Sequence, residues 1–534
     1  MSVRRLSTLC CLLVMLFAVL ICRVYWVGTD MAYAANAGAQ TQRETELPTV
    51  RGNFLDRNGH LLTGYTERWY ALCIPGDVSY AALFPYVPYR EQSALYERRL
   101  AASPFLVEVA QDLNRQGIVT CRSAYRCLPV PIAVHLLGYL NGEEHGVSGL
   151  EKAYDEVLTA AGGRAMVRCS TTAQGRLVAG QEPQIVEQTP ATRQNVKLTL
   201  DAQIQRVCEG IAAMTMKRGC IVVLETASGE VLASVSMPEY DPDDISKSIR
   251  ANDTSLINRP LQAFSVGSVF KVAVAAAAYD AGLDWYSCEC TGSVEIDGQT
   301  YRCAKSKAHG LVNLRGALEQ SCNCYFIKLG QLLGGKRVRE TAERFGFGTA
   351  CAVAPELKSA AGTLPDEESL NRSGPLAVFS FGQGEFTATP LQIAAMTNAV
   401  ADGGMWRTPV FVKGITDSAG VVTDPFQAEE PHSVCGETVA RVLRNMLCTV
   451  VEQGIGEKAE PDEGGAGGKT GTAQTGQFDA EGNEMLNYWF TGFFPAEEPR
   501  YTVTVLQDGI LDPETSSAEI FAQVANALNA MKNS

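Results

Sequence analysis

Arg4 and Arg5 precede an apolar run from Leu6 to Cys22 that only Ser7 and Thr8 interrupt, and Arg23, Val24, Tyr25, Trp26 and Val27 follow it. About twenty apolar residues cross the hydrocarbon core of a bilayer. This run reaches that length when Arg23 snorkels and Tyr25 and Trp26 lie at the interface. Nothing along it is polar with a helical period, which argues against a helix half-buried in a soluble core. The paired arginines favour an N-terminus held inside. The expected layout is a cytoplasmic tail at residues 1–5, a transmembrane signal anchor at 6–27 and an extracytoplasmic remainder, that is, a single-pass cell-membrane protein. The competing reading is a cleaved signal peptide, with Ala32-Tyr33-Ala34 as a small-x-small site. Either reading places the rest of the chain outside the cytoplasm.

The remainder has ordinary globular texture. The 534 residues are 46% hydrophobic and 19% charged, with a net charge of -14. No Lys/Arg-rich block supplies the basic footprint of a nucleic-acid binder. Only five histidines are present, His60, His135, His145, His309 and His432, so chemistry resting on several imidazoles is disfavoured and a Ser or Lys mechanism gains ground. Of seventeen cysteines, Cys10, Cys11 and Cys22 lie in the apolar run. The others are irregularly spaced, unlike a small disulfide scaffold. So many thiols outside the membrane point to a reducing setting, pairing or a bound metal.

The small, polar residues 28–48 read as a linker. Residues 49–195 mix short strand-like runs with turn signals such as Asn58-Gly59 and form a smaller, mixed N-terminal domain. From Val196 the texture changes. A strand-like run to Asp201 leads into an amphipathic helix from Ala202 to Met216. Cys220–Leu224 and Val231–Val235 flank Ser228-Gly229 as a hairpin. Tyr488–Phe494 and Tyr501–Leu506 form another, and a final helix carries Ile520, Phe521, Val524, Leu528 and Met531. The expected class is α/β (α+β): a mainly antiparallel sheet flanked by helices over residues 196–534.

Three segments carry chemistry. Gly267-Ser268-Val269-Phe270-Lys271 opens an Ala-rich helix. Ser268 alone reads equally as an N-cap. Lys271, three residues on, shares its face, and the apolar turns that follow are fit for burial. A buried lysine is costly unless its pKa falls, and a neutral lysine beside a hydroxyl is a base able to activate a nucleophile. Ser321-Cys322-Asn323 heads a second apolar stretch. Gly467-Gly468-Lys469-Thr470-Gly471-Thr472-Ala473 tempts a phosphate-loop reading, but Glu463 stands where that motif needs its first glycine; a plain Gly-rich turn is the other alternative.

Ser-x-x-Lys, Ser-x-Asn and Lys-Thr-Gly, in this order, mark penicillin-binding proteins and class A β-lactamases. The wider sequence resembles class B penicillin-binding proteins, the monofunctional peptidoglycan D,D-transpeptidases, over roughly residues 50–530. Arg51–Gly59 resembles the family's N-terminal signature, Gly146–Glu151 with Tyr154-Asp155 a second one, and Gly382-Gln383-Gly384 with Thr389-Pro390-Leu391-Gln392 a third. Val266 and Val269 stand where Pro and Thr are common, and neither change removes a reacting group. The resemblance implies a penicillin-binding transpeptidase fold with a non-catalytic pedestal at 49–195. It implies Ser268 as acylated nucleophile, Lys271 as its base, Ser321 as proton relay and Asn323 as a holder of Lys271 and the substrate amide. Lys469, Thr470, Gly471 and Thr472 would receive the substrate's carboxylate end, with backbone N–H groups of Ser268 and Thr472 as oxyanion hole. No cofactor is required for the acyl transfer. Implied partners are peptidoglycan stem peptides, β-lactams, the membrane and a SEDS-type glycosyltransferase. A D,D-carboxypeptidase or β-lactamase-type hydrolase, or a β-lactam sensor, is the rival reading.

Cys290, Cys303 and His309 lie between the first two motifs, and Cys322 is the middle of the second. Three thiolates and an imidazole match a tetrahedral structural zinc site, and some elongation-type members of the family are similar in carrying zinc there. Inert buried cysteines, or a Cys290–Cys303 disulfide, remain the alternatives, and spacing leaves Cys288 open in place of Cys290.

Overall fold

The computed structural model describes residues 3–29, 42–46, 51–101, 103–114, 118–126, 130–142, 144–160, 164–171, 178, 183–188, 194–251 and 253–533. Ala32-Tyr33-Ala34 and most of the expected linker lie outside these. Val3–Thr29 forms one helix (α1), about 40 Å long at 1.5 Å per residue. Its Ser7–Thr29 stretch is long and apolar enough to cross a membrane, and none of it is buried.

The chain divides into two compact units, the first comprising residues 1–51, 65–127 and 162–191. Among its described residues are two three-stranded antiparallel sheets. Tyr65–Cys73 is central in one, between Phe105–Val109 and Thr120–Arg126. Arg164–Ser170 is central in the other, between Gln42–Glu46 and Gln184–Gln188. Leu83, Val87, Leu95, Phe105, Val107 and Leu113 make its main core.

The second unit comprises residues 52–64, 128–161 and 192–534, so the division expected at residue 195 is not a single cut. Phe54-Leu55 pairs in parallel with Asn195–Leu198, which draws the first family signature into this unit. There the buried Asp56 carboxylate accepts from the backbone N–H of Asn58 and His60, both at 2.8 Å, and Arg57 pairs with Glu225 at 3.1 Å and Glu230 at 3.2 Å. In the second signature, Asp155 accepts from Gly146 N–H at 2.7 Å; just ahead of it in the chain, the Val134 carbonyl accepts from the Tyr240 hydroxyl at 2.7 Å. Both signatures thus brace the larger unit rather than the smaller one.

Its centre is a five-stranded antiparallel sheet. Asp201 caps helix α2 (Ala202–Thr215), accepting from Gln203 and Ile204 N–H at 3.0 and 3.2 Å. The hairpin β1 (Gly219–Glu225) and β2 (Val231–Met237) follows. Helices α3 (Lys271–Asp280), α4 (Asn323–Leu333), α5 (Pro390–Ala401) and α6 (Glu437–Glu452) fill the middle of the chain. Strands β3 (Gly467–Phe478), β4 (Glu484–Phe494) and β5 (Tyr501–Ile510) and helix α7 (Ser517–Asn533) close it. The strand order is β2-β1-β5-β4-β3, leaving β3 at an edge.

The inner strand β1 is a continuous apolar run, Cys220–Leu224, because both faces of the sheet are covered there. Ile221, Val223, Phe490, Val503 and Val505 face α2 and α7, while Cys220, Trp489, Phe493 and Leu506 face the helical layer. Every residue of α5 is buried. The Thr389-Pro-Leu-Gln392 stretch starts that helix with a capping box: Gln392 N–H donates to Thr389 Oγ1 at 3.1 Å and Thr389 N–H to Gln392 Oε1 at 2.8 Å.

The sheet's outer face turns on Phe521, fully buried with its ring 4.7 Å from Phe490 and 5.9 Å from Phe494. Phe521→Ala should lower unfolding stability by about 3–5 kcal/mol, the range for truncating a buried Phe, measured by denaturant titration of the detergent-solubilised chain.

Candidate active site

Ser268 lies on a 3₁₀ turn, Gly267–Phe270, that runs directly into α3. It caps neither element, so the N-cap alternative falls. In a 3₁₀ turn residues i and i+3 eclipse, which stacks Ser268 and Lys271 on one side. Residues 271–278 are all buried, as the Ala-rich sequence leads one to expect, and Ser268 itself is half-buried.

Two glycines let this turn sit where it does. Gly267 has φ +69°, and a Cβ there would stand 2.5 Å from the Thr472 carbonyl oxygen. Gly382 has φ +82°, and its Cβ would stand 2.0 Å from the Gly267 carbonyl oxygen. Gly267 N–H donates to the Gly382 carbonyl at 2.7 Å, and Gln383 Nε2 donates to the Thr472 carbonyl at 3.3 Å. The Gly-Gln-Gly segment therefore ties the turn to β3. Trp489 Nε1, on the next strand, donates to the Ser265 carbonyl at 3.0 Å.

Lys271 is fully buried. Its Nζ lies 2.7 Å from Asn323 Oδ1, 2.8 Å from the Ser321 carbonyl and 3.1 Å from Ser321 Oγ, with the Phe326 ring centroid at 5.5 Å. Burial pulls its pKa down from 10.5 to about 7, against the opposing pull of Cys322, Cys303 and Cys324. Ser321 adopts φ +52°, a left-handed conformation that costs about 1–3 kcal/mol for a residue with a side chain. That kink turns both its carbonyl and its hydroxyl to the amine. Asn323 Nδ2 donates to the Arg302 carbonyl at 3.0 Å, fixing the carboxamide's other end.

Gly467–Phe478 is an edge strand, neither a phosphate loop nor a turn. Lys469 is fully buried, and its Nζ donates to the Thr470 carbonyl at 3.1 Å. Burial, and then Lys271, hold its pKa well below the usual lysine range. Thr470 is half-buried and Thr472 exposed. The room left by Gly471 is taken by the turn that bears Ser268: a Cβ there would stand 3.0 Å from Val269 Cγ1 and 3.2 Å from Val269 N.

The four sequence-predicted metal ligands converge. Donor atoms of Cys290, Cys303, His309 and Cys322 all lie within 4.8 Å of one another. Cys290 Sγ is 3.7 Å from Cys303 Sγ and 3.4 Å from His309 Nδ1, and Cys303 Sγ is 3.9 Å from Cys322 Sγ. Zinc–sulfur bonds of about 2.3 Å in a tetrahedron set sulfurs about 3.8 Å apart, so the donors fit zinc in kind and spacing. These cysteines are free thiols, not the alternative disulfide. Cys290 pairs opposite Gly310, next to His309, and Cys290 rather than Cys288 belongs to the cluster. Cys324, which the spacing did not flag, lies 3.5 Å from Cys303. Hydrogen bonds from Cys322 and Cys324 hold Cys303 well below the usual thiol range, and those two are raised in turn. Cys322 also caps α4, accepting from Tyr325 N–H at 3.4 Å.

The transpeptidase domain of penicillin-binding proteins matches residues 219–527, more than half of the chain. Stage V sporulation protein D of Bacillus subtilis is 30% identical over 414 residues, 74% of this chain and 62% of its own length. Penicillin-binding protein PbpB of Mycolicibacterium smegmatis is 31% identical over 424 residues, 74% of this chain and 63% of its own. The chain thus spans less than two thirds of the length of these relatives. The crystal structure of penicillin-binding protein 3 of Mycobacterium tuberculosis with aztreonam aligns with a TM-score of 0.67 and 25% identity, covering 91% of this chain and 97% of that one. The fold is accordingly the penicillin-binding transpeptidase fold, and the chain belongs to the penicillin-binding protein transpeptidase family, among its class B members.

Proposed function

We propose that the chain is a serine-type peptidoglycan D,D-transpeptidase that cross-links stem peptides ending in D-Ala-D-Ala and is inhibited by β-lactams. The observation that carries this is the buried Lys271 amine, held by Ser321 and Asn323 beside the turn that bears Ser268. Neutral Lys271 takes the Ser268 proton, and Ser268 Oγ bonds to the carbonyl carbon of the penultimate D-Ala. Ser268 and Thr472 backbone N–H groups stabilise the oxyanion, where one donor is worth about 3 kcal/mol. The bond to the terminal D-Ala breaks, and its nitrogen receives the proton through Ser321. An amine from a second stem peptide then attacks the ester, forming the cross-link and returning the proton to Ser268.

Lys469, with Thr470 and Thr472, receives the terminal carboxylate. Its burial disfavours the ammonium in the free site, and the arriving carboxylate supplies the countercharge that holds the proton. The open edge of β3 suits an extended peptide added as a further strand. A carboxypeptidase or β-lactamase outcome would need water as the acceptor, and no specific feature of the site favours it. The α1 helix anchors the chain with its catalytic unit extracytoplasmic, near a SEDS-type glycosyltransferase that supplies glycan strands.

Cys290, Cys303, His309 and Cys322 would hold a structural zinc. The metal would supply fixed coordination, and Cys322, between Ser321 and Asn323, would transmit it to the residues that hold Lys271.

A labelled penicillin should attach to the peptide containing Ser268, located by mass spectrometry, and Ser268→Ala should abolish the label; a label that persists would overturn the reading. Lys271 is protonated below its pKa and neutral above it, so the acylation rate should rise with pH through about 7 and then level. Lys271→Arg, which cannot lose its proton there, should acylate about 10²-fold more slowly or worse, followed by stopped-flow labelling. Elemental analysis of protein purified under reducing conditions without chelator should find about one zinc per chain; removing it should lower both thermal stability and acylation.

A further inference from the structure

We infer that Arg302 is the specificity residue that binds a second carboxylate of the stem peptide, upstream of the D-Ala-D-Ala end. This rests on the transpeptidase reading. The chain carries a net charge of -14, yet Gln299–His309 holds Arg302, Lys305 and Lys307 with no Asp or Glu. All three cations are exposed. Among the described residues, the Arg302 guanidinium forms no ion pair or hydrogen bond. Glu295 and Asp297, the acids of the same hairpin, leave it unpaired.

Position singles out Arg302 among the three. Its carbonyl accepts from Asn323 Nδ2 at 3.0 Å, and the Oδ1 of the same carboxamide lies 2.7 Å from Lys271 Nζ. The Arg302 backbone carbonyl is therefore two hydrogen bonds from the Lys271 amine. Its backbone is fixed on both sides. It ends the strand Gln299–Arg302, paired opposite Ser293, and Cys303 beside it is buried in the sulfur cluster. An exposed, unpaired guanidinium on a backbone held in a strand costs little reorganisation on binding, and a guanidinium matches a carboxylate with two parallel hydrogen bonds. The terminal carboxylate of the substrate is already assigned to Lys469 on β3. Stem peptides carry further free carboxylates, on a γ-linked acidic residue and, in some, on the diamino acid. An upstream carboxylate is the anion that a substrate threaded past Asn323 would bring to Arg302.

The test uses the full chain and two donor peptides ending in D-Ala-D-Ala, identical except that one upstream residue bears a free carboxylate or its carboxamide. Each position is compared in turn, and kcat/KM for acyl transfer is measured. The wild-type chain should prefer the carboxylate at one position by about tenfold, the scale of a single charge-assisted hydrogen bond at a wet site. Arg302→Gln should bring that ratio close to one, Arg302→Glu should invert it, and Arg302→Lys should retain part of it. No carboxylate preference at any position in the wild type, or the same preference in Arg302→Gln, would overturn the assignment. So would an equal loss on both peptides, which would make Arg302 merely structural. Failure of the transpeptidase reading is separate: the wild-type chain would then take no covalent label from penicillin.

Discussion

A buried amine with three oxygen atoms around it organises the candidate active site. Lys271 Nζ meets the Ser321 carbonyl, Ser321 Oγ and Asn323 Oδ1 within 3.1 Å. As an ammonium it can donate to all three. As a neutral amine it donates to two and accepts from the Ser321 hydroxyl, whose proton can rotate to suit. The site is thus satisfied in both protonation states, which is what a group that gains and loses a proton requires. Burial biases the balance towards the neutral form, and the left-handed backbone of Ser321 is part of the cost of aiming two acceptors of one residue at one nitrogen.

Around that contact the fold works by close approach. The turn that bears Ser268 can press against β3 because Gly267 and Gly471 offer no side chain where Thr472 and Val269 come in. Gln383 and Trp489 then pin the arrangement from the Gly-Gln-Gly segment and from β4. The sheet beneath is covered on both faces by helices, so β3 is held rigid while its outer edge stays open. Rigidity at the turn and openness at the edge are the two properties that an acyl-transferring site for an extended peptide needs.

The candidate site was legible in the sequence because the residues proposed to react sit in short segments whose surroundings are apolar. A lysine that opens an all-buried Ala-rich helix must shed its charge or find partners for it, and α3 is buried as its sequence leads one to expect. The sheet hairpins and the final helix followed from their patterns too. What could not be read depends on contacts between distant segments. Phe54 pairs with Val196, so a segment that reads as N-terminal belongs to the larger unit. Cys288 and Cys290 lie two apart on a strand, on the same face by period, and only the pairing of Cys290 beside His309 separates them. Cys324 stands two residues from Cys322, and nothing in that spacing marks it as a neighbour of Cys303; the Gly-Gln-Gly segment stands out in the sequence, but its hydrogen bond from Gln383 to β3 is not readable there. That Gly471 makes room for Val269 of the Ser268 turn is likewise a contact between distant segments.

The central claim is that Lys271 loses its proton near neutrality in the folded site. Its ionisation can be followed directly by NMR on the chain carrying ¹³Cε-labelled lysine, with the Lys271 resonance assigned as the one missing from Lys271→Met. The account predicts that this resonance titrates with a midpoint at about 7. A Lys271 resonance that stays in its protonated position until the pH range of an ordinary exposed lysine, about 10, would contradict it.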